Sequence, residues 1–197
     1  MAALAVILVA AAALVLIAKY EGVDVGSLAG DLKDQINSDV AAVGGDLGVA
    51  SDPLSLALPI IKNFEKFSAK AYPDPPGSGK FSIAWGHQIQ PGEPYDQNSE
   101  IGRDEGDQLL RTDAGAAYAC VTSHVSVDLT PNQTAALISF CYNVGCGAFA
   151  SSSMLRDINA GDFESAALQF PAWIHAGGQV SATLVDRRRQ EQELFNT

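Results

Sequence analysis

Basic residues are scarce in this chain. Twelve Lys and Arg stand against 23 Asp and Glu in 197 residues, a formal net charge of −11. A general nucleic-acid binder needs a basic footprint, so no nucleic acid is expected as a partner. Cysteine is scarcer: three, with no Cys-x-x-Cys pair, which is too few for a disulfide scaffold and poorly spaced for zinc. No internal repeat is present. What is plentiful is apolar material, 47% against 18% charged, enough for a packed core and too much for wholesale disorder. The length suits one domain of ~150 residues plus an extra segment.

That segment is at the start. All 17 residues from Ala2 to Ala18 are apolar, eight of them Ala. As a helix with its flanks the run reaches ~27 Å, just enough for a thin hydrocarbon core. Its Ala content makes insertion marginal. No Lys or Arg stands before it, so the positive region of a cleaved export signal is missing. Lys19 follows it and favours a cytoplasmic flank, weakly, because Glu21, Asp24, Asp31 and Asp34 come next. A membrane anchor over residues 1–20 is the leading reading; a cleaved signal and a helix packed in a virion are the others. Residues 21–52 read as a connector. Val25, Leu28, Leu32, Ile36, Val40 and Val43 keep helical spacing until Gly44-Gly45, as a spacer or an oligomerising helix.

Residues 53–197 read as one helix-dominant α+β domain. Ser51-Asp52-Pro53 is a helix start, and the apolar spacing of Ile60, Ile61, Phe64, Phe67 and Ala71 predicts a helix to the Tyr72–Gly77 break. Lys80–Gly86 alternates as a strand, with Phe81, Ile83 and Trp85 on a buried face and Ser82 and Ala84 on a small face suited to a flat ligand. Helices follow: Asp104 to His124; one opened by the Thr130-Pro131-Asn132-Gln133 capping box and running to Asn143; Ser153 to Asn159; one capped by Asp162; and a last one from Thr183 to Leu194.

Three residues carry chemistry. Glu65 sits at the border of the first helix's apolar face, where partial desolvation favours the protonated acid. Asp74 lies in a turn, where backbone N–H groups and water keep a carboxylate ionised. Ser82 stands on the small face of the following strand. Two carboxyl groups across a cleft are what glycosidic cleavage needs, one to protonate the leaving oxygen and one to handle water or positive charge, and the hydroxyl can hold the water.

The blocks FEKFSAKAYPD and FSIAWGH resemble the N-terminal part of phage-type lysozymes, the tailed-phage endolysins of glycoside hydrolase family 24. LTPNQTAALISFCYNVGCGAF resembles the family's central helix and turn. SSSMLRDINAGDFESAALQFPAWIHAGG and LVDRRRQEQELF resemble its closing helices, so the likeness covers about residues 55–197. It implies a lysozyme-like fold with a small antiparallel sheet. It also implies hydrolysis of the β-1,4 bond between N-acetylmuramic acid and N-acetylglucosamine in peptidoglycan, with neither metal nor cofactor. Glu65 is then the general acid, Asp74 the second carboxylate, and Ser82 stands where the family has Thr. Pro75-Pro76-Gly77-Ser78-Gly79 lengthens the loop between the last two.

The same likeness gives Asn143 a sugar contact or a capping role, and brings Arg187 toward Glu65, which it would hold ionised at rest. From the residues alone, Arg187/Glu191 and Arg189/Glu193 are i,i+4 pairs of a solvated helix face. His87 reads as a structural ion pair or hydrogen bond, with a sugar contact as the alternative. Trp85 and Trp173 read as core. Cys120 pairs with Cys141 or Cys146, or all three stay free. The Ala-rich head resembles that of signal-anchor-release endolysins, exported on an inner-membrane tether and active in the periplasm once released. A virion-associated lysozyme that opens the wall at entry, or a non-catalytic wall-binding module, are the alternatives.

Overall fold

The structure, a computed structural model, describes residues 52–197. The anticipated head helix and connector helix lie outside them. Among the described residues no helix is long and apolar enough to cross a membrane.

Asp52 opens α1 (Pro53–Phe64). Its carboxylate accepts from the N–H groups of Leu54 (3.3 Å) and Ser55 (3.1 Å), with Pro53 in the first turn. The helix stops well short of Ala71. Glu65 N–H closes onto Ile61 O at 2.8 Å, the backbone turns extended, and Ser68–Pro73 form β1. Strand pairing wins because β1 is satisfied on both edges. One edge meets β2 (Phe81–Ala84), with Tyr72 opposite Ser82 and Pro73 opposite Phe81. On the other, Ala71 N–H donates to Ser99 O (3.0 Å) and Ile101 N–H to Ala69 O (2.9 Å). β3 (His87–Gln88) completes an antiparallel sheet in the order β1-β2-β3.

The expected alternation along β2 is corrected. Ser82, Ile83 and Ala84 are all fully buried, so the small face does not open onto a cleft. Ala84 packs against α2 (Arg103–His124), where Gly106 lets the helix approach. The strand ends at Ala84, which takes a left-handed φ of +58°, a conformation that costs an L-residue about 1 kcal/mol or more.

α3 (Pro131–Val144) is the axis of the core. Thr130 accepts from Gln133 N–H (3.1 Å) while Gln133 Oε1 accepts from Thr130 N–H (2.9 Å), the two arms of the capping box. Every residue from Thr134 to Cys141 is buried, and α1, α2 and the last helix pack around them. Gly145, at φ +83°, ends α3. α4 (Cys146–Ala150), α5 (Ser153–Asn159), α6 (Phe163–Ala167), a 3₁₀ turn at Phe170–Ala172 and a hairpin of β4 (His175–Ala176) and β5 (Gln179–Val180) lead to α7 (Ala182–Phe195). Phe140 meets Phe149, Phe170 and Trp173 edge-on at 5.2–6.4 Å between centroids. Trp85 and Trp173 are thus packed as expected, although Trp173 also reaches a cavity wall. Cys120 bonds to Cys146, tying α2 to α4, and Cys141 is free. Burial pushes the Cys141 thiol up to about 11, which keeps it protonated.

Two glycines of α2 make opposite predictions. A methyl group on Gly106 would lie 2.6 Å from the Phe67 ring and 3.1 Å from Ala84 Cβ, whereas one on Gly115 meets nothing. Helix propensity favours Ala over Gly by about 1 kcal/mol, but overpacking costs roughly 1–3 kcal/mol. Gly115→Ala therefore raises Tm and Gly106→Ala lowers it, as read by calorimetry on the two variants. Equal shifts of the same sign would refute the tight packing of α2 on the sheet.

Candidate active site

Glu65 caps α1 and projects where α3 and α7 meet. Arg187 Nη1 donates to its Oε1 at 2.6 Å, and the Glu65 side chain keeps about a quarter of its surface exposed. The other oxygen lies beside the β2–β3 turn. Gly86 takes φ +89°, and a methyl group there would sit 3.5 Å from Glu65 Oε2. A side chain at position 86 would thus be both strained and against the acid.

Asp74 follows β1. Its Oδ2 accepts from Ser82 Oγ at 2.9 Å. Ser82 is fully buried, so its hydroxyl meets the carboxylate and not solvent, which departs from the expectation that it holds water directly. Both acids adjoin β2 and the turn after it, Asp74 through Ser82 and Glu65 beside Gly86, and Tyr72 pairs with Ser82 across the strands. Burial, then the negative charges of Asp74 and Glu65, hold its phenol above the ordinary value. Tyr142 donates its hydroxyl to Trp85 O (2.9 Å), and burial, then Asp113 and Glu65, push it far up.

α7 differs most from its sequence reading. Only Arg189 behaves as a solvated partner, bonded to exposed Glu193 at 3.0 Å. Arg187, Arg188 and Glu191 are buried. Arg187 also donates through Nε to Glu191 Oε1 (3.1 Å) and through Nη2 to Ser139 O (3.1 Å). Ser139 Oγ donates to the same Glu191 oxygen at 2.7 Å. Arg188 lies over the Phe140 ring at 4.9 Å, approaches Glu191 Oε2 at 3.2 Å, and donates to Asn143 Oδ1 at 2.6 Å. Burial drags Arg188 down to about 10, with Glu191 opposing, so it stays charged at neutral pH. Burial raises Glu191, and the two arginines and Ser139 counter it. The missed signal was spacing: Leu184, Arg188, Glu191 and Phe195 fall on one face of α7, the face that packs on α3.

Glu65 lines one hollow, and Gly86, which its Oε2 approaches, lines another. One, of about 660 Å³, is lined by Glu65, Asn143, Trp173, His175 and Arg187. The other, of about 470 Å³, is lined by Gly86, His87, Asp113 and Tyr142. His87 borders it with both ring nitrogens taken, Nδ1 by Asp113 (2.9 Å) and Nε2 by Glu93 (3.0 Å), so the ion-pair reading describes it and neither nitrogen is left for a sugar. Asn143 is exposed in the first hollow, and Arg187 does reach Glu65.

A sequence model of the phage lysozyme family matches residues 62–191. The chain belongs to the phage lysozyme family. It is 41% identical to the endolysin of Bacillus phage PZA over 138 residues, 70% of this chain and 52% of that one. It therefore spans about half the length of the Bacillus phage endolysins it matches. The SAR-endolysin of Escherichia phage Mu is 39% identical over 88 residues, 45% of this chain and 52% of that one. Among solved structures, the muramidase domain of SpmX from Asticaccaulis excentricus superposes with a TM-score of 0.65 at 34% identity. It covers 72% of this chain and 95% of that one. The lysozyme-like fold and the small antiparallel sheet are thus those the quoted blocks implied.

The clasp on His87 has a pH signature. Burial opposes its charge, but Asp113 and Glu93 outweigh burial and raise its pKa. Glu93 is lowered, first by the Gln90 N–H and then by His87. Burial keeps Asp113 raised despite His87. The share of His87 is fully present below its unfolded value, about 6.5, and fades as pH rises through the raised folded one. The Tm gap between wild type and His87→Gln accordingly narrows from pH 6 to pH 9. A gap constant over that range would mean that His87 is not charged in the fold.

Proposed function

We propose that the chain hydrolyses the β-1,4 bond between N-acetylmuramic acid and N-acetylglucosamine in peptidoglycan, and acts as an endolysin. The observation that carries this is Glu65 beside open space, its Oε1 held by Arg187 and its Oε2 turned toward Gly86, at the end of the strand whose Ser82 holds Asp74. Glu65 gives a proton to the glycosidic oxygen as the bond to the anomeric carbon breaks. Asp74, as carboxylate, offsets the positive charge on that carbon or takes a proton from the attacking water. Ser82 donates to Asp74 and so orients it as the charge develops. Water's oxygen bonds to the anomeric carbon, its released proton passes to solvent directly or by way of Asp74, and Glu65 is reprotonated from solvent.

Glu65→Gln keeps the shape and removes the proton. Clearing of purified peptidoglycan by this variant falls by roughly 10²–10⁴-fold with the fold intact by circular dichroism. Ser82→Ala costs roughly tenfold, the loss of one hydrogen bond to a charged group. Full clearing by Glu65→Gln would remove the assigned acid.

The same proposal places the chain at the host inner membrane and then the periplasm. The support is the Ala-rich run 2–18 in the sequence and the likeness to proteins named SAR-endolysins. A short Ala-rich span costs less to extract from lipid than a Leu-rich one. Replacing Ala10–Ala13 by Leu is expected to retain the full-length protein in the membrane pellet and stop lysis. Lysis on the normal schedule would refute release.

A further inference from the structure

We infer that Cys120, His124 and Cys146 form a second site with two states: a disulfide beside a histidine when oxidised, and a ligand set for Zn²⁺ when reduced. No group assigned to the cleavage takes part. Cys120 and His124 stand one turn apart on α2, and Cys146 is the first residue of α4. The chain has no Cys-x-x-Cys pair, but the fold brings the third donor in across 26 residues. One ligand atom from each residue, two sulfurs and an imidazole nitrogen, lie within 4.8 Å of one another. His124 Nδ1 is 3.8 Å from Cys120 Sγ. A sulfur and a nitrogen on one tetrahedral zinc stand about 3.6 Å apart, given bonds of ~2.3 Å and ~2.0–2.1 Å. That pair is therefore already at ligand spacing. Nδ1 lies 2.8 Å from the Cys120 carbonyl oxygen, and coordination through Nδ1 exchanges this contact for a metal bond and leaves the N–H on Nε2.

Two thiolates and an imidazole select zinc over the hard cations Mg²⁺ and Ca²⁺, which want oxygen. Cys120 is 6% exposed, whereas His124 and Cys146 are exposed, so the site opens on solvent and water takes the fourth position. A newly made chain carries its sulfurs as thiols, and they remain thiols wherever a thiol pool keeps them reduced. The formed bond is reopened by two equivalents of a small thiol. Two electrons pass to the disulfide, each sulfur takes a proton, and the reductant leaves as its own disulfide. Zn²⁺ then displaces one proton from each thiol and forms two Zn–S bonds and one Zn–N bond. In both states α2 is tied to α4. The metal also occupies the two sulfurs that pair correctly and leaves Cys141, buried and free, out of the exchange.

The test titrates Co²⁺, a spectroscopic stand-in for Zn²⁺, into the full chain reduced by a phosphine and freed of excess reductant without air. The reduced chain develops a thiolate-to-cobalt charge-transfer band and tetrahedral d–d absorption, complete at one equivalent and bleached by Zn²⁺. Zn²⁺ raises Tm of the reduced chain and not of the oxidised one, because only the reduced fold binds it. Cys120→Ser and Cys146→Ser lose the band. His124→Ala weakens binding by at least the roughly 10–100-fold that a lost outer-shell partner costs. Cys141→Ser keeps the band, which separates this site from any two thiols sharing a metal. A reduced wild type without the band overturns the inference, as does a band that survives loss of Cys120 or Cys146, or undiminished binding by His124→Ala. So does a reduced chain that unfolds and is not restored by Zn²⁺.

Discussion

One guanidinium joins the parts of this domain that matter for chemistry. Arg187 donates to Glu65, Glu191 and the Ser139 carbonyl from a position 2% exposed. The three acceptors come from the end of α1, from α7 and from α3. Only a planar fork can serve three directions at once, which a Lys ammonium on a flexible stem would not do with the same geometry. The arrangement is costly to break, because removing one partner of a buried pair strands the other, at about 3–5 kcal/mol. The Glu65 carboxyl is therefore positioned by the core, and α7 belongs to the candidate site although Glu65 is at the other end of the domain's sequence.

The two carboxylates are held by different means. Glu65 is held by a cation; Asp74 is held by the neutral hydroxyl of Ser82 and lies just beyond the sheet edge. The register makes the second possible: Tyr72 pairs with Ser82, so Asp74, two residues on, curls back over the same strand. Backbone pairing places the hydroxyl, and the hydroxyl places the carboxylate. Burying Ser82 completely keeps its proton for Asp74, since no water competes for it.

Legibility followed how local the cause was. The capping box at Thr130–Gln133, the Asp52-Pro53 start and the extent of α3 are written in neighbouring residues and read correctly. The extent of α1 did not, since Phe67 and Ala71 suit a helical stripe as well as a strand, and the edge that decides it lies at Ser99–Ile101. Charge misled in the same way. Arg187, Arg188 and Glu191 look like solvent-facing residues until α3 supplies Ser139 and Asn143 as partners. The choice of Cys146 over Cys141 for Cys120 depends on how α4 folds back on α2, which spacing does not state. Glu65, Asp74 and Ser82 were nameable from their motif blocks. The likeness also brought Arg187 toward Glu65 across more than a hundred residues, whereas the hold of Ser82 on Asp74 and of Arg187 on Glu191 and the Ser139 carbonyl was not legible, because it depends on strand register and buried charge.

Where the few basic residues went bears on how the domain meets a wall. Of the ten Lys and Arg from residue 61 onward, Arg187 and Arg188 are buried, against one buried acid, Glu191, among sixteen. The surface is thus more acidic than the composition implies. Long-range attraction to a polyanionic wall is not available to such a surface, and screening confines what charge effects remain to about 8–10 Å at physiological salt. In the proposed reaction, recognition must come from contacts inside the cleft: the walls at Trp173 and Val144, the Asn143 amide and the acid itself. The buried arginines set two of those contacts. The domain has used its two buried cations to orient a carboxyl and an amide on the wall of one hollow, at hydrogen-bond range.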